Sequence, residues 1–285
     1  MEITDVQQIA VLGAGVMGSG IAVTAARAGY QVQVYDPAPG MADRARTYAE
    51  KFLGQAVEKQ KMTAEAAAAA LDRMQYIGSL DLLAAELVIE AVPESLSLKH
   101  QALRLVEERL PADAIIASNT STLPVTRIAA GLTRPARVGG LHFFNPAPVM
   151  KLVEVIAGIR TDADVPVLLM ELARRLGKTP VQVADTPGFI VNRVARQYYL
   201  ESLRITEEQG ASFDTIDRLM KATGFSMGPF ELMDLIGLDT NHAVSQSVYE
   251  AFFQEPRFRP SRLQQHMVDA GLLGRKTGKG FYAYE

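Results

Sequence analysis

His142 and Glu154 are the residues of this 285-residue chain best suited to proton chemistry. His142 stands near the end of the run VGGLHFF, and Glu154 sits twelve residues later inside LVEVI. An imidazole therefore ends one strand pattern and a carboxylate occupies the next. Histidine titrates near neutrality, so it can take a hydroxyl proton while a hydride leaves the same carbon. A buried glutamate bonded to its other ring nitrogen fixes the tautomer and favours the imidazolium that forms. Taken singly, each residue has a plainer reading, a satisfied structural histidine and a surface strand glutamate, and the spacing alone leaves their contact open.

The second constellation is Gly13-Ala14-Gly15-Val16-Met17-Gly18, which follows the apolar run QQIAVL and opens a helical pattern of small residues. A glycine loop between strand and helix points unpaired N–H groups and the positive helix end at a pyrophosphate. Gly13 permits the tight turn, Gly15 lets the backbone approach phosphates, and Gly18 allows helix and strand to pack closely. Asp36 ends the next strand, QVQVY, eighteen residues after Gly18. A carboxylate there bonds ribose hydroxyls and repels a 2′-phosphate, which favours NAD over NADP. A turn-initiating aspartate before Pro37 is the alternative for Asp36, and the fingerprint alone also admits FAD.

These residues need a scaffold, and the hydrophobic pattern supplies one. Strand patterns fall at 7–12, 31–35, 74–77, 87–90, 114–117, 138–143, 152–156 and 180–183. Helical patterns lie between them, among them a long polar helix over 41–60 and a helix over 96–109. Thr63 is placed to cap an alanine-rich segment whose helix propensity explains it fully. Such alternation predicts a Rossmann-type α/β domain with a mostly parallel sheet covered on both faces. After Pro187 only helical periods remain, at 188–209, 212–222, 229–236, 240–253 and 260–270. The expected domains are 1–186, binding NAD, and an all-helical 187–285, binding substrate and dimerising.

Composition narrows the class. Apolar residues make up 48% and charged residues 21%, ordinary for a globular protein. There is no cysteine and no HExxH pair, so no metal is expected. A net charge of −3 argues against general nucleic-acid binding. No apolar run is long enough to span a membrane, and the N-terminus enters a strand instead of a leader, so a soluble, cytoplasmic protein is expected.

At this point the chain resembles a known family, the short-chain 3-hydroxyacyl-CoA dehydrogenases of the 3-hydroxybutyryl-CoA dehydrogenase type. The matching blocks are VLGAGVMGSGIA, LVIEAVPESLSLK, ASNTSTL, GLHFFNPAPVMKLVEVI, TPGFIVNRV, GPFELMDLIGLD and GRKTGKGFYAY, in order over nearly the whole length. The resemblance implies oxidation of an (S)-3-hydroxyacyl-CoA to the 3-oxoacyl-CoA, with NAD as hydride acceptor. It places the catalytic pair on His142 and Glu154, and the donors to the substrate oxygen on Ser121 and Asn192. It also places Glu94, Lys99, Asn145 and Lys276 near the cofactor. Without it, Lys99 reads as a solvated helix lysine and Lys276 as part of a mobile tail, whereas the resemblance implies that this tail folds back towards the first domain. Thr122 departs from the second serine usual in the family.

The resemblance puts the CoA contact on the helix over 41–60, where Lys51 and Lys59 share a face and Arg44 lies one heptad earlier, although a solvated helix face explains them equally. Phe52 stands where the mitochondrial type has serine. The C-terminal wording is nearest to the phenylacetate-degradation branch acting on 3-hydroxyadipyl-CoA. An acyl-end carboxylate would call for a bidentate cation such as Arg193, Arg196 or Arg257. Tyr198, Tyr199, Phe213, Phe225, Phe230 and Phe252 are more aromatic side chains than a lone bundle would hide; core packing explains most of them, but the family forms dimers through this domain, which implies a homodimer here. The rivals are a dehydrogenase of free 3-hydroxy acids, which would want a catalytic lysine, and a non-catalytic NAD-binding protein on the same scaffold.

Overall fold

The computed structural model describes residues 2–284, which fall into two compact units meeting between Thr186 and Pro187. In the first, strand and helix alternate: β1 (Gln8–Leu12), α1 (Val16–Arg27), β2 (Gln31–Tyr35), α2 (Met41–Glu58), α3 (Ala64–Asp72) and β3 (Met74–Tyr76). There follow β4 (Leu87–Glu90), α4 (Leu96–Glu107), β5 (Ile115–Ser118), α5 (Val125–Ala129), β6 (Val138–Phe143), β7 (Leu152–Ala157), α6 (Asp164–Arg175) and β8 (Thr179–Ala184).

The eight strands form one sheet in the order β3-β2-β1-β4-β5-β6-β7-β8. The order reverses at β1 and β4, the place where open α/β sheets hold ligands beyond their strand ends. Ile9, Val11, Leu87, Ile89 and Ile115 are fully buried, as strands covered on both faces require. Every junction is parallel except β6 with β7, where the chain returns directly after the 144–151 loop without a crossover helix. That one antiparallel pairing governs the candidate active site. Thr63 caps α3 by accepting the Ala66 N–H.

The second unit contains α7 (Val191–Glu207), α8 (Phe213–Ala222), α9 (Pro229–Ile236), α10 (Leu238–Ala251) and α11 (Arg262–Asp269) around Tyr199, Leu203, Phe230, Met233, Leu238 and Phe281. The glycine-rich tail packs into this unit instead of forming a mobile end. Phe281 meets the Phe230 ring edge-on at 4.8 Å, and Asp234 accepts the N–H groups of Phe281 and Tyr282, both at 3.0 Å. Tyr199 and Phe230 are core residues, which removes them from the exposed aromatic candidates. Of the candidates Phe225 stays exposed, and Val194, Leu219 and Phe253 are exposed with it.

Candidate active site

The glycine loop joins β1 to α1 under tight steric control. Gly13 has φ of +93°, and a Cβ there would lie 2.6 Å from the Ala91 carbonyl oxygen. A Cβ on Gly18 would lie 1.8 Å from the Gly13 carbonyl oxygen, so the first turn of α1 can rest on the loop only if residue 18 has no side chain. Gly15 differs: a Cβ there meets nothing within 4 Å. Open space beside the backbone at a helix N-terminus is the cradle a pyrophosphate needs, so these residues fit a dinucleotide. Val16 is exposed beside it, and Ala14 lies below in the core.

Asp36 is more firmly tied than its sequence suggests. One carboxylate oxygen accepts the Ala14 N–H at 2.8 Å and the other the Ala38 N–H at 2.9 Å. The first bond fixes the glycine loop to the end of β2, and the second forms the turn into Pro37. Four lone-pair sites on a carboxylate leave acceptor capacity for ribose hydroxyls.

Beyond β4, an ionic chain organises the loop that carries Ser121. Lys99 is 1% exposed, not the solvated lysine its sequence suggests. Its Nζ lies 2.8 Å from Glu90 and 3.2 Å from Glu94. Glu90 also accepts the Ser118 hydroxyl and the Val92 N–H. Removing one partner from a buried pair of this kind costs about 3–5 kcal/mol. Glu94 in turn accepts the Thr120 hydroxyl at 2.7 Å and the N–H groups of Ser121 and Thr122, both at 2.9 Å. Burial pushes the Glu94 carboxyl up, but the Lys99 charge and these hydrogen bonds outweigh it and hold the group at about 2.

This shift sets an acid limit. Glu94 ordinarily titrates near 4.5, so its contribution to stability is complete above that pH and fades as pH falls towards 2. In urea unfolding, wild type will therefore be more stable than Glu94→Gln at pH 7, and the gap will narrow below about 4.5. A gap independent of pH would show that Glu94 is not held ionised by its partners.

The candidate catalytic pair, His142 and Glu154, is set by strand register. In the antiparallel β6–β7 ladder His142 stands directly opposite Glu154, so both side chains leave the same face of the sheet. His142 Nδ1 lies 2.8 Å from a Glu154 carboxylate oxygen, with side-chain exposures of 7% and 1%. A carboxylate only accepts, so Nδ1 carries the hydrogen and exchange with a substrate falls to Nε2. The Phe144 ring packs at 4.5 Å between centroids. Asn119 ties the serine loop to this strand end by accepting the Phe143 N–H at 2.8 Å.

Asn145 lies exposed just beyond β6, in the loop through residue 150. Lys178 supports that loop from beneath, donating to the carbonyls of Met150 at 2.9 Å and Ala147. Burial, then the charges of Lys151 and Arg27, lowers the Lys178 ammonium to about 8. Sequence reasoning missed Glu90, Asn119 and Lys178. Glu90 left a signal, a carboxylate ending an apolar strand as Asp36 does, inside the LVIEAVPESLSLK block.

The remaining predicted residues are placed separately. Lys51 is exposed on α2, and Lys59 is the residue capping its C-terminal end, also exposed. The helix stops there instead of reaching residue 60, because Gln60 turns to φ of +54°. In the helical unit, Asn192 is the second residue of α7. Lys276 Nζ pairs with Asp239 at 2.5 Å.

Comparison with known proteins places the chain in a family. Residues 8–186 match the model of the 3-hydroxyacyl-CoA dehydrogenase NAD binding domain, and residues 188–284 that of the 3-hydroxyacyl-CoA dehydrogenase C-terminal domain. The chain is 48% identical over 280 residues to 3-hydroxyadipyl-CoA dehydrogenase of Escherichia coli, covering 98% of this chain but only 59% of that relative. It is 40% identical to 3-hydroxybutyryl-CoA dehydrogenase of Mycobacterium tuberculosis, covering 98% of this chain and 99% of the relative. The crystal structure of (S)-3-hydroxybutyryl-CoA dehydrogenase from Ralstonia eutropha superposes with a TM-score of 0.94 at 39% identity, covering 98% and 99% of the two chains. A nicotinamide fold with a buried histidine and glutamate in register, matched from end to end, makes this chain a member of the NAD-dependent 3-hydroxyacyl-CoA dehydrogenase family.

Proposed function

We propose that the chain interconverts short (S)-3-hydroxyacyl-CoA and 3-oxoacyl-CoA thioesters. The observation that carries this reading is the 2.8 Å contact between His142 Nδ1 and Glu154 at opposed positions of β6 and β7. His142 Nε2 takes the proton of the C3 hydroxyl, and Glu154 stabilises the imidazolium through Nδ1–H. In the reverse direction the same nitrogen returns the proton to the carbonyl oxygen. By the family's pattern the Ser121 hydroxyl and the Asn192 amide each offer a hydrogen bond to that oxygen, matching the charge it develops. When bound, NAD supplies the acceptor for the hydride that leaves C3.

Gly13, Ala14, Gly15, Val16, Met17 and Gly18 hold the cofactor pyrophosphate, and Asp36 the adenosine ribose. Glu94, Asn145 and Lys276 complete the cofactor contacts. Lys99 acts through Glu94, since its ammonium is spent on Glu90 and Glu94. Lys51 and Lys59 offer cations for the phosphates of coenzyme A. The exposed apolar side chains of the helical unit suit a second copy of the chain, so we assign a homodimer. Coenzyme A thioesters and NAD are intracellular metabolites, and the reading carries a cytoplasmic location with it.

The test is consumption of NADH by wild type with acetoacetyl-CoA, followed by absorbance. Turnover is expected with NADH and much less with NADPH, whose 2′-phosphate would approach the Asp36 carboxylate. No turnover of acetoacetyl-CoA or its longer homologues with either nucleotide would overturn the proposal.

A further inference from the structure

Arg196 is the one of the three candidate clamps that is buried, and its charge has no ion-pair partner among the described residues. Arg257 is exposed, lies 3.9 Å from Glu255 and has its guanidinium over the Phe258 ring. Arg193 covers the opposing Phe252 ring at 5.0 Å. Arg196 is 3% exposed, and among the described residues no carboxylate lies within ion-pair distance of it. Its partners are neutral: Nε donates to the Asn192 carbonyl at 3.2 Å, and Nη1 to the Asn241 carbonyl and the Ser245 hydroxyl, both at 2.9 Å. The Tyr199 ring lies 4.9 Å away. Among the described residues the second terminal nitrogen, Nη2, has no hydrogen-bond acceptor.

A buried guanidinium without an anion is costly, and burial lowers its pKa to about 10. Neighbouring polar groups lack partners too. Asn241 Nδ2 and both ring nitrogens of His242, the next residue on α10, are buried without a hydrogen-bond partner among the described residues. A fixed cation with spare donors, set among further unpaired polar atoms, matches a carboxylate.

Its spacing from Asn192 along α7 bounds the length of the ligand. Arg196 follows Asn192 by one helical turn on the same face of α7, so their Cβ atoms are about 5–6 Å apart. Three further carbons of an extended acyl chain span a comparable length. We propose that Arg196 selects acyl-CoA substrates whose C6 is a carboxylate, binding that group while C3 stands at Asn192. This rests on the reaction proposed above, and it agrees with a relative named 3-hydroxyadipyl-CoA dehydrogenase being 48% identical to this chain.

The test compares kcat/KM for NADH-dependent reduction of acetoacetyl-CoA, 3-oxohexanoyl-CoA and 3-oxoadipyl-CoA. The last two have the same number of carbons and differ at C6 alone. Wild type is expected to favour 3-oxoadipyl-CoA over 3-oxohexanoyl-CoA by about 30-fold, the scale of a charge-assisted pair. Arg196→Met is expected to abolish that preference while changing acetoacetyl-CoA turnover little, and Arg196→Lys to restore part of it. No preference in wild type overturns the proposal even if Arg196→Met does not fold, and so does an equal loss on all three substrates. Failure of every substrate in wild type would instead overturn the reaction itself.

Discussion

Glutamine in place of His142 will lower kcat for acetoacetyl-CoA reduction by about 10²–10⁴-fold and leave NADH binding nearly unchanged. The expectation follows from the register of two strands. His142 and Glu154 are opposed in the one antiparallel junction of the sheet among the described residues, and their 2.8 Å contact is almost wholly buried. Glutamine keeps the polarity and much of the volume, so the fold survives, but it cannot exchange a proton near neutral pH. Glu154→Gln should also be slow, for a different reason. A carboxamide can donate to Nδ1, which stabilises the tautomer whose hydrogen sits on Nε2, the nitrogen that must accept from the hydroxyl. Steady-state kinetics across pH, with NADH titration by fluorescence, checks both variants. Unchanged kcat in His142→Gln would remove this residue from the chemistry.

A side chain at either of two glycines should damage the protein in separable ways. Gly18→Ala puts a methyl group where a Cβ lies 1.8 Å from the Gly13 carbonyl oxygen, so α1 must move off β1. Overpacking of this kind costs about 1–3 kcal/mol or more, and NADH binding should fall with stability. Gly15→Ala meets no protein atom within 4 Å, and its φ of −68° is open to any residue. Its stability should stay within about 0.5 kcal/mol of wild type. NADH affinity should nevertheless fall at least about tenfold, because the methyl group occupies the cradle itself. Urea unfolding and NADH titration on both variants separate the effects. Wild-type affinity in Gly15→Ala would show that the cofactor does not approach there, and wild-type stability in Gly18→Ala would show that the contact is not limiting.

The parallel part of the sheet was legible because its strands are buried on both faces and read as short apolar runs between helical periods. β1 and β4 show this, β2 (QVQVY) alternates instead, and each of the three ends at the site: in the glycine loop, at Glu90 and at Asp36 respectively. The glycine spacing and the switch to unbroken helix after Pro187 were legible for the same reason, since both depend on local backbone demands. β6 and β7 also read as strands, but nothing in their residues stated that they run antiparallel.

Tertiary structure decided the rest, because it depends on partners distant in sequence. Lys99 looks like a surface lysine until α4 lays it between Glu90 and Glu94. Lys178 carries no motif, Asn119 lies within ASNTSTL without its role being readable there, and their hydrogen bonds cross 28 and 24 residues of sequence. Arg196 could not be told from Arg193 or Arg257 until α7 and α10 enclosed it. The amino-acid sequence by itself determined that a dinucleotide loop, a histidine and a glutamate were present on an α/β scaffold. Only the return of β7 against β6 decided that the imidazole and the carboxylate meet, because opposed positions of an antiparallel ladder share a face whatever their separation along the chain.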